Sequence, residues 1–517
     1  MVPIPLSKRL ISGDLSIPFY FSIANFILLT IACGFGGYGI FRDEFYYLAC
    51  ADHLALGYVD HPPLSIYLLK LHTSLFGDSM LSIRLLPAFC SALTIWFTGR
   101  MCQKMGGGKM ATLITCFFAF SPGSLVMSSF VSMNSIELLS WTLAAYVIIE
   151  IINTGEKKYW IILGVILGLG LLNKIGVLFL GAGIFVGLLF TPMRRWLSTP
   201  WPYVAGLIAF LLFVPYIVWN IQHDMAHLEF IRNASSEKYK GLNMLDFVTG
   251  QFLVNHPVAT VIWGAGLLAL FLNQHLLKYR ILGFMYLVPF FIFLFNGTSK
   301  EVYLLPAYGM LWAASGVWYE RMFDRYRKLK LAVGIVALLW FVVTIIMLPL
   351  VLPVLSVDQY IAHSERLGFK PESSESKELA ELPQFYADMF GWEEKANDVS
   401  KVFRTLTADE QRKCAIVGNN YGRCASIDYY SEELGLPKTI GTHNSYWIWG
   451  PRLYTGEVMI ILGGDLEDHV DDFNEVKLAA VSDCHYCMPY EDQMNIFVCK
   501  GLKADLREAW GAEKHYD

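Results

Sequence analysis

The chain has 517 residues, of which 55% are apolar, 15% aromatic and only 16% charged, with a formal net charge of −5. Water-soluble domains carry roughly 25% charged residues, so this composition cannot coat several soluble domains and instead describes a chain held largely in a membrane. The near-balanced charge gives no support for a nucleic-acid partner, and long apolar runs exclude collagen-like, disordered and disulfide-scaffold classes.

About 20 apolar residues cross the hydrocarbon of a bilayer. Such runs predict eleven transmembrane helices, near 19–40, 81–99, 110–127, 135–152, 159–173, 175–191, 201–219, 249–271, 281–297, 302–319 and 331–353. The polar break at Asn173–Lys174 reads either as a hairpin or as a kink, which changes the parity of the count. Basic residues in short loops favour the cytoplasm. Lys8 and Arg9 precede the first span, and every second loop after it is basic, ending with Arg321, Arg325, Arg327, Lys328 and Lys330. This alternation puts the N-terminus inside, as an uncleaved signal anchor, and everything beyond about residue 354 outside the cytoplasm.

A boundary at 355 therefore separates a transmembrane domain, 1–355, from an extracytoplasmic domain, 356–517. The second begins with a Ser/Glu-rich linker at 371–380. Strand-like runs follow at Cys414–Gly418, Val458–Gly463, Leu478–Val481 and Ile496–Cys499. They alternate with helical stretches at 393–405 and 466–475, which predicts a soluble α/β domain. Five of the ten cysteines lie in this tail. Cys484 and Cys487 form a lone C-x-x-C that lacks a second ligand pair, so incidental thiols or one disulfide fit it better than a metal site.

A transporter places ionisable groups at mid-membrane, whereas an enzyme working at the surface places them at helix ends. Here the spans are nearly free of charge, and one set of loops is dense with it: Arg42, Asp43, Glu44, Asp52, His53, Asp60 and His61; Asn134 and Glu137; Lys174; His223, Asp224, His227, Glu229 and Arg232; Lys300 and Glu301. Asp43 and Glu44 sit where the first helix leaves the bilayer. They read either as a general base in a partly dry pocket or as a solvated pair flanking Arg42.

His61, in Tyr58-Val-Asp-His-Pro-Pro-Leu64, is a donor to substrate or a cap on the amphipathic segment 64–76, which suits the membrane interface. Lys174 wants an anion at its depth, and a lipid-linked phosphate reaches that level; the alternative is a snorkelling lysine. Arg232, Lys300 and Tyr303 are further candidates for phosphate recognition. Asn444, Tyr446, Trp447 and Trp449 form either a carbohydrate-stacking patch or internal aromatic packing.

Taken in order, Arg42-Asp-Glu-Phe-Tyr-Tyr, His61-Pro-Pro-Leu, Ser132-Met-Asn-Ser-Ile-Glu137, Leu171-Leu-Asn-Lys174, Trp219-Asn-Ile-Gln-His223, Leu228-Glu-Phe-Ile-Arg-Asn233 and Lys300-Glu-Val-Tyr-Leu-Leu-Pro306 resemble bacterial glycosyltransferases of family 39. These are relatives of the protein O-mannosyltransferases and of the aminoarabinose transferase that modifies lipid A. The tail motifs Asn419-Asn-Tyr-Gly422 and His443-Asn-Ser-Tyr-Trp-Ile-Trp-Gly-Pro451 are similar to the C-terminal domain of a bacterial branch of that family.

The resemblance implies the GT-C fold and a sugar donor carried on a polyprenyl phosphate, used at the extracytoplasmic face of the inner (plasma) membrane. It makes Asp43 the catalytic carboxylate with Glu44 as its neighbour. It places Lys174, Arg232 and Lys300 facing the donor phosphate or the substrate cavity, and with them His61, Glu137, His223 and Tyr303 make up the candidate substrate-binding residues. Glu137 stands where many relatives carry Asp. The implied reaction is a single displacement with inversion onto a glycan, lipid or protein acceptor. No cofactor is required, although the Asp43–Glu44 pair has the chemistry for Mg²⁺ or Mn²⁺. A transporter or lipid flippase with an external ligand-binding domain is the alternative.

Overall fold

The computed structural model describes residues 14–237, 243–297, 299–371 and 378–517, with only the backbone at 237 and 324. Lys8 and Arg9, most of the Ser/Glu-rich linker, and Thr298 lie outside the described residues. The chain forms two compact units, one from 1–36, 81–218 and 241–355, the other from 37–80, 219–240 and 356–517. A single cut at 355 does not reproduce this division, because two early loops fold with the tail.

The first unit is helical. Among its described residues and the helix that runs on to Gln222, five helices are long and apolar enough to cross a membrane: Ser16–Phe35, Met80–Lys104, Met133–Thr154, Trp201–Gln222 and Arg327–Val351. Two helix pairs reach that measure only together: Val177–Phe190 with Pro192–Ser198, bent by 99°, and Met244–Val254 with Pro257–Leu272, bent by 89°. Lys109–Phe118, Lys158–Asn173 and Ile281–Asn296 are apolar but shorter.

Each expected span thus has helix beneath it, while the full-length crossings number five, or up to seven, by length and composition. The breaks have local causes. Prolines 122, 192 and 257 each open a new helical segment, since proline supplies no N–H to continue the old one. Lys174 is extended after Asn173 and ends the helix there.

Lipid-facing and buried surfaces are sharply divided. Arg327–Val351 leaves Leu331, Ile335, Leu338, Phe341 and Ile345 at least half exposed, which only a hydrocarbon environment tolerates. Met133–Thr154 is mostly buried and packs its Trp141, Ala144, Ala145 and Ile148 into the unit's main core. Small residues allow tight crossings: a Cβ at Gly266 would overlap the Leu311 carbonyl oxygen, so the helices Thr260–Leu272 and Tyr308–Arg325 touch backbone to backbone there. Glu320 accepts the N–H groups of Gly108 (2.6 Å), Met110 (3.1 Å) and Ala111 (3.1 Å), placing a carboxylate at the positive end of Lys109–Phe118.

The second unit is built on a five-stranded sheet: β1 (Cys414–Gly418), β2 (Ile440–Gly441), β3 (Val458–Leu462), β4 (Phe473–Ser482) and β5 (Met494–Leu502), in the order β2-β1-β3-β5-β4. β1 pairs in parallel with β2 and β3, while β5 runs antiparallel to β3 and β4. Alternation along the strands makes two cores. Cys414, Ile416, Val458, Ile460, Ile496 and Val498 meet Ala396, Val399 and Val402 of the helix Trp392–Arg404 on one face. Ala415, Met459, Phe497 and Cys499 meet Leu506 and Trp510 on the other.

All four predicted strands are recovered, within a residue or inside a longer strand, and the two-residue β2 is the addition. The helix expected at 466–475 shrinks to Glu467–Val470, because from Phe473 the chain pairs along β5 as an edge strand whose charged Glu475 and Lys477 discourage further pairing. The amphipathic segment is a helix over Leu64–Phe76, with Leu71, Leu75 and Phe76 exposed. Cys484 and Cys487 are joined in a disulfide, and Cys414, Cys424 and Cys499 are buried thiols.

Candidate active site

The segment after the first membrane helix is itself a helix, Arg42–Asp52, and its first turn carries both candidate carboxylates. They do different work. Glu44 is fully buried and its Oε2 accepts the N–H of Phe41 at 2.9 Å, capping the helix. Asp43 is about a third exposed at its side chain, and its Oδ1 accepts the Tyr421 hydroxyl at 2.9 Å. The Asp43–Glu44 pair is therefore not a ready divalent chelate, since one member is spent on the backbone.

Arg42 lies beside Asp43 (Nε to Oδ1, 3.4 Å), donates to the Tyr490 hydroxyl (3.1 Å), approaches Asp388 Oδ2 (3.5 Å) and stands over the Tyr421 ring at 5.4 Å. This guanidinium fixes the flank of Asp43 without closing it off. Arg42 and Tyr421 then continue into a polar cavity of about 570 Å³ together with Asn419, Asn420, His443 and Asn495.

A buried ionic group holds the cavity floor. Glu491 accepts from Lys395 Nζ (2.7 Å), from Arg423 Nε (3.0 Å) and from Asn420 Nδ2 (3.1 Å). Burial alone would raise the Glu491 carboxyl, but Lys395 and Arg423 hold it down at about 2. Asn420 also caps the helix Tyr421–Leu434, its Oδ1 accepting the Arg423 N–H at 2.9 Å. The ion cluster thus sets the start of the helix whose first residue meets Asp43.

His61 is wholly buried among Tyr46, Tyr47 and Tyr58, with Nδ1 at 3.0 Å from the Pro62 carbonyl. It is not the cap of Leu64–Phe76, whose N-cap is Pro63. Tyr46 bridges Asp60 Oδ1 (2.9 Å) and Ser445 Oγ (2.8 Å), and burial raises its phenol well above the usual value. His223 stacks on Trp219 at 4.2 Å and meets the Trp219 carbonyl at 2.8 Å. Arg232 is exposed on the helix Ala226–Glu237. Of the proposed stacking patch, Asn444 and Tyr446 are buried, Tyr446 donates to Asp428 Oδ2 (2.8 Å), and Trp449 stacks on His53 at 4.2 Å, so internal packing accounts for it.

A second cluster belongs to the helical unit. Lys174 Nζ donates to Glu137 Oε2 (2.7 Å) and Asn134 Oδ1 (2.9 Å), and it lies 5.5 Å from the Tyr303 ring centre. The ammonium is anchored inward rather than snorkelling, with Glu137 as the carboxylate it meets. Lys300 precedes Glu301–Ala307, the short helix that carries Tyr303. The structure therefore joins Asp43 and Glu44 in one unit and Glu137, Lys174 and Tyr303 in the other.

Tyr421, His443, Arg423 and Glu491 were not anticipated as site residues. In the sequence Asn419-Asn-Tyr-Gly422 and His443-Asn-Ser stand out only as tail motifs, and Glu491 carries no signal.

A family model described as dolichyl-phosphate-mannose-protein mannosyltransferase matches residues 60–219. The lipid A galacturonosyltransferase RgtD of Rhizobium johnstonii is 26% identical over 238 residues, covering 44% of this chain and 49% of that protein. The chain thus aligns with about half the length of this curated relative. The crystal structure of ArnT from Cupriavidus metallidurans bound to undecaprenyl phosphate superposes with a TM-score of 0.63 at 12% identity, covering 93% of this chain and 97% of that one. Its apo state gives the same TM-score. At that identity the likeness establishes the fold, a GT-C membrane architecture with a small C-terminal sheet domain.

Proposed function

We propose, on the premise that this chain belongs among the GT-C glycosyltransferases of family 39, that it moves a sugar from a polyprenyl-phosphate donor to a hydroxyl- or amine-bearing acceptor. The observation that carries this reading is Asp43: a partly exposed carboxylate, held by a tyrosine hydroxyl and an arginine at the edge of a polar cavity. These relatives favour a transferase over the transporter or flippase alternative.

The chemistry needs little more than this chain offers. Asp43 takes the proton from the attacking acceptor atom as that atom bonds to the anomeric carbon. The bond from that carbon to the phosphate oxygen breaks on the opposite face, which inverts the configuration. The leaving phosphate gathers charge, and cations lower the barrier by meeting it. Lys174, Arg232 and Lys300 are the cations we assign to that work. The reading places the reaction at the extracytoplasmic face of the plasma membrane, with the acceptor a glycan, a lipid or a protein.

Transfer of a radiolabelled sugar from a synthetic polyprenyl phosphate by the full chain in vesicles tests the proposal, and no transfer from any such donor rejects it. Two variants refine it. Tyr421→Phe removes the hydroxyl that holds Asp43 and should slow transfer about tenfold, equivalent to about 1.4 kcal/mol in the barrier, in a chain that still folds. An unaltered rate would leave Tyr421 with no part in positioning Asp43. Lys174→Met, made together with Glu137→Gln so that no buried carboxylate is stranded, should raise the KM for the donor about tenfold or more. An unchanged donor dependence would remove Lys174 from donor recognition.

A further inference from the structure

We infer that His443, His515 and Asp517 form a three-ligand site for a divalent transition-metal ion of the zinc type, on the wall of the cavity beside Arg42 and Tyr421. His443 Nε2 lies 2.7 Å and His515 Nε2 3.0 Å from the same Asp517 Oδ1. The ligand atoms that the three residues offer all lie within 4.8 Å of one another. Metal bonds of about 2.0–2.2 Å in tetrahedral geometry set ligand atoms about 3.3 Å apart, so the two contacts to Asp517 would open slightly, and ligand atoms as far apart as 4.8 Å would close, to admit an ion.

The backbone presets the arrangement. The segment ending in Asp517 lies in parallel register beside His443, with His515 N–H donating to the Thr442 carbonyl (3.0 Å) and Asn444 N–H to the His515 carbonyl (2.8 Å). His515 and Asp517, two residues apart on extended chain, present their side chains to the same side. Asn444 is buried at positive φ (50°) and its Oδ1 accepts the Asp517 N–H at 3.2 Å, which fixes the carboxylate's backbone.

Two imidazoles directed at one carboxylate oxygen exceed what a simple ion pair needs, and they match the two-nitrogen, one-oxygen sets that hold zinc-like ions. Hard ions such as Mg²⁺ prefer oxygen ligands throughout, which this set lacks. Ligation through His443 Nε2 would leave its proton on Nδ1, so the long 3.4 Å contact from the Tyr421 N–H would have to lengthen. All three residues line the cavity, so the fourth position of a tetrahedral ion faces its interior, open to water or to an anionic oxygen of a ligand.

The site stands apart from the transfer reading, because metal binding is measured without turnover. The full chain, carrying a non-histidine affinity tag at its N-terminus, is stripped with chelator and titrated calorimetrically with Zn²⁺, Mn²⁺ or Mg²⁺, with metal content read by mass spectrometry. One Zn²⁺ per chain is expected, Mn²⁺ binding more weakly and Mg²⁺ not at all. His515→Ala, at a half-exposed position, and Asp517→Asn should each weaken Zn²⁺ binding by at least about tenfold, with the metal-free melting temperature of His515→Ala unchanged. No Zn²⁺ uptake by the native chain, or uptake by His515→Ala equal to the native chain, overturns the site; should Asp517→Asn fail to fold, His515→Ala decides alone.

Discussion

Asp43→Asn should lower sugar transfer by about 10²–10⁴-fold, the range that a positioned general base contributes, while expression and melting temperature stay at native values. The split follows from the geometry. Asp43 caps nothing and is about a third exposed, and the asparagine amide is close to its shape and still offers an oxygen to the Tyr421 hydroxyl. Only the capacity to take a proton is lost. Glu44→Gln should behave in the opposite way. Its side chain accepts the Phe41 N–H at zero exposure, and an amide oxygen can still accept that bond, so turnover should change little. Measuring both variants side by side under saturating donor separates the roles, and near-native turnover in Asp43→Asn would remove it from the mechanism.

What the sequence made legible, and what it did not, divides along physical lines. Membrane helices announce themselves by apolar runs, so helix underlies every expected span. Their continuity was overestimated where proline or a polar pair interrupts the run, because hydropathy averages across one residue that ends a helix. Strands such as β1 and β3 were legible because both faces are covered and the runs are uniformly apolar.

The Lys174–Glu137 pairing is half legible: each residue carries charge at a helix end, but the 37-residue separation gives no hint that they meet. Asp43 was singled out from its own loop. Its partner Tyr421 lies 378 residues away and resembles any tyrosine until the fold brings it to 2.9 Å. His61 shows the reverse error of scale, a polar residue in a promising motif that the structure closes inside a tyrosine cluster.

Glu491→Gln should destabilise the sheet unit by about 3–5 kcal/mol, the cost of stranding buried charge when one partner of an ion pair is removed. Lys395 is 1% exposed and Arg423 5%, so neither can turn to water for compensation. Burial also pushes the Lys395 ammonium down from its usual range, which makes its dependence on Glu491 acute.

The pH signature has a definite sign. The Glu491 carboxyl sits at about 2 in the folded chain against 4.5 as an ordinary glutamate. Its contribution is therefore complete above about pH 4.5 and is lost as pH falls toward 2; in Glu491→Gln that acid-sensitive component disappears. Pairing the change with Lys395→Met should recover part of the loss, since one unpaired charge is then gone. A thermal melt of the single variant at native temperature would dismiss the cluster as a stabilising element. If the loss is found, transfer should fall with it even below the melt, because Asn420 links Glu491 to the helix start that carries Tyr421. The ion cluster would then reach the base without touching substrate, through the Tyr421 hydroxyl that orients Asp43.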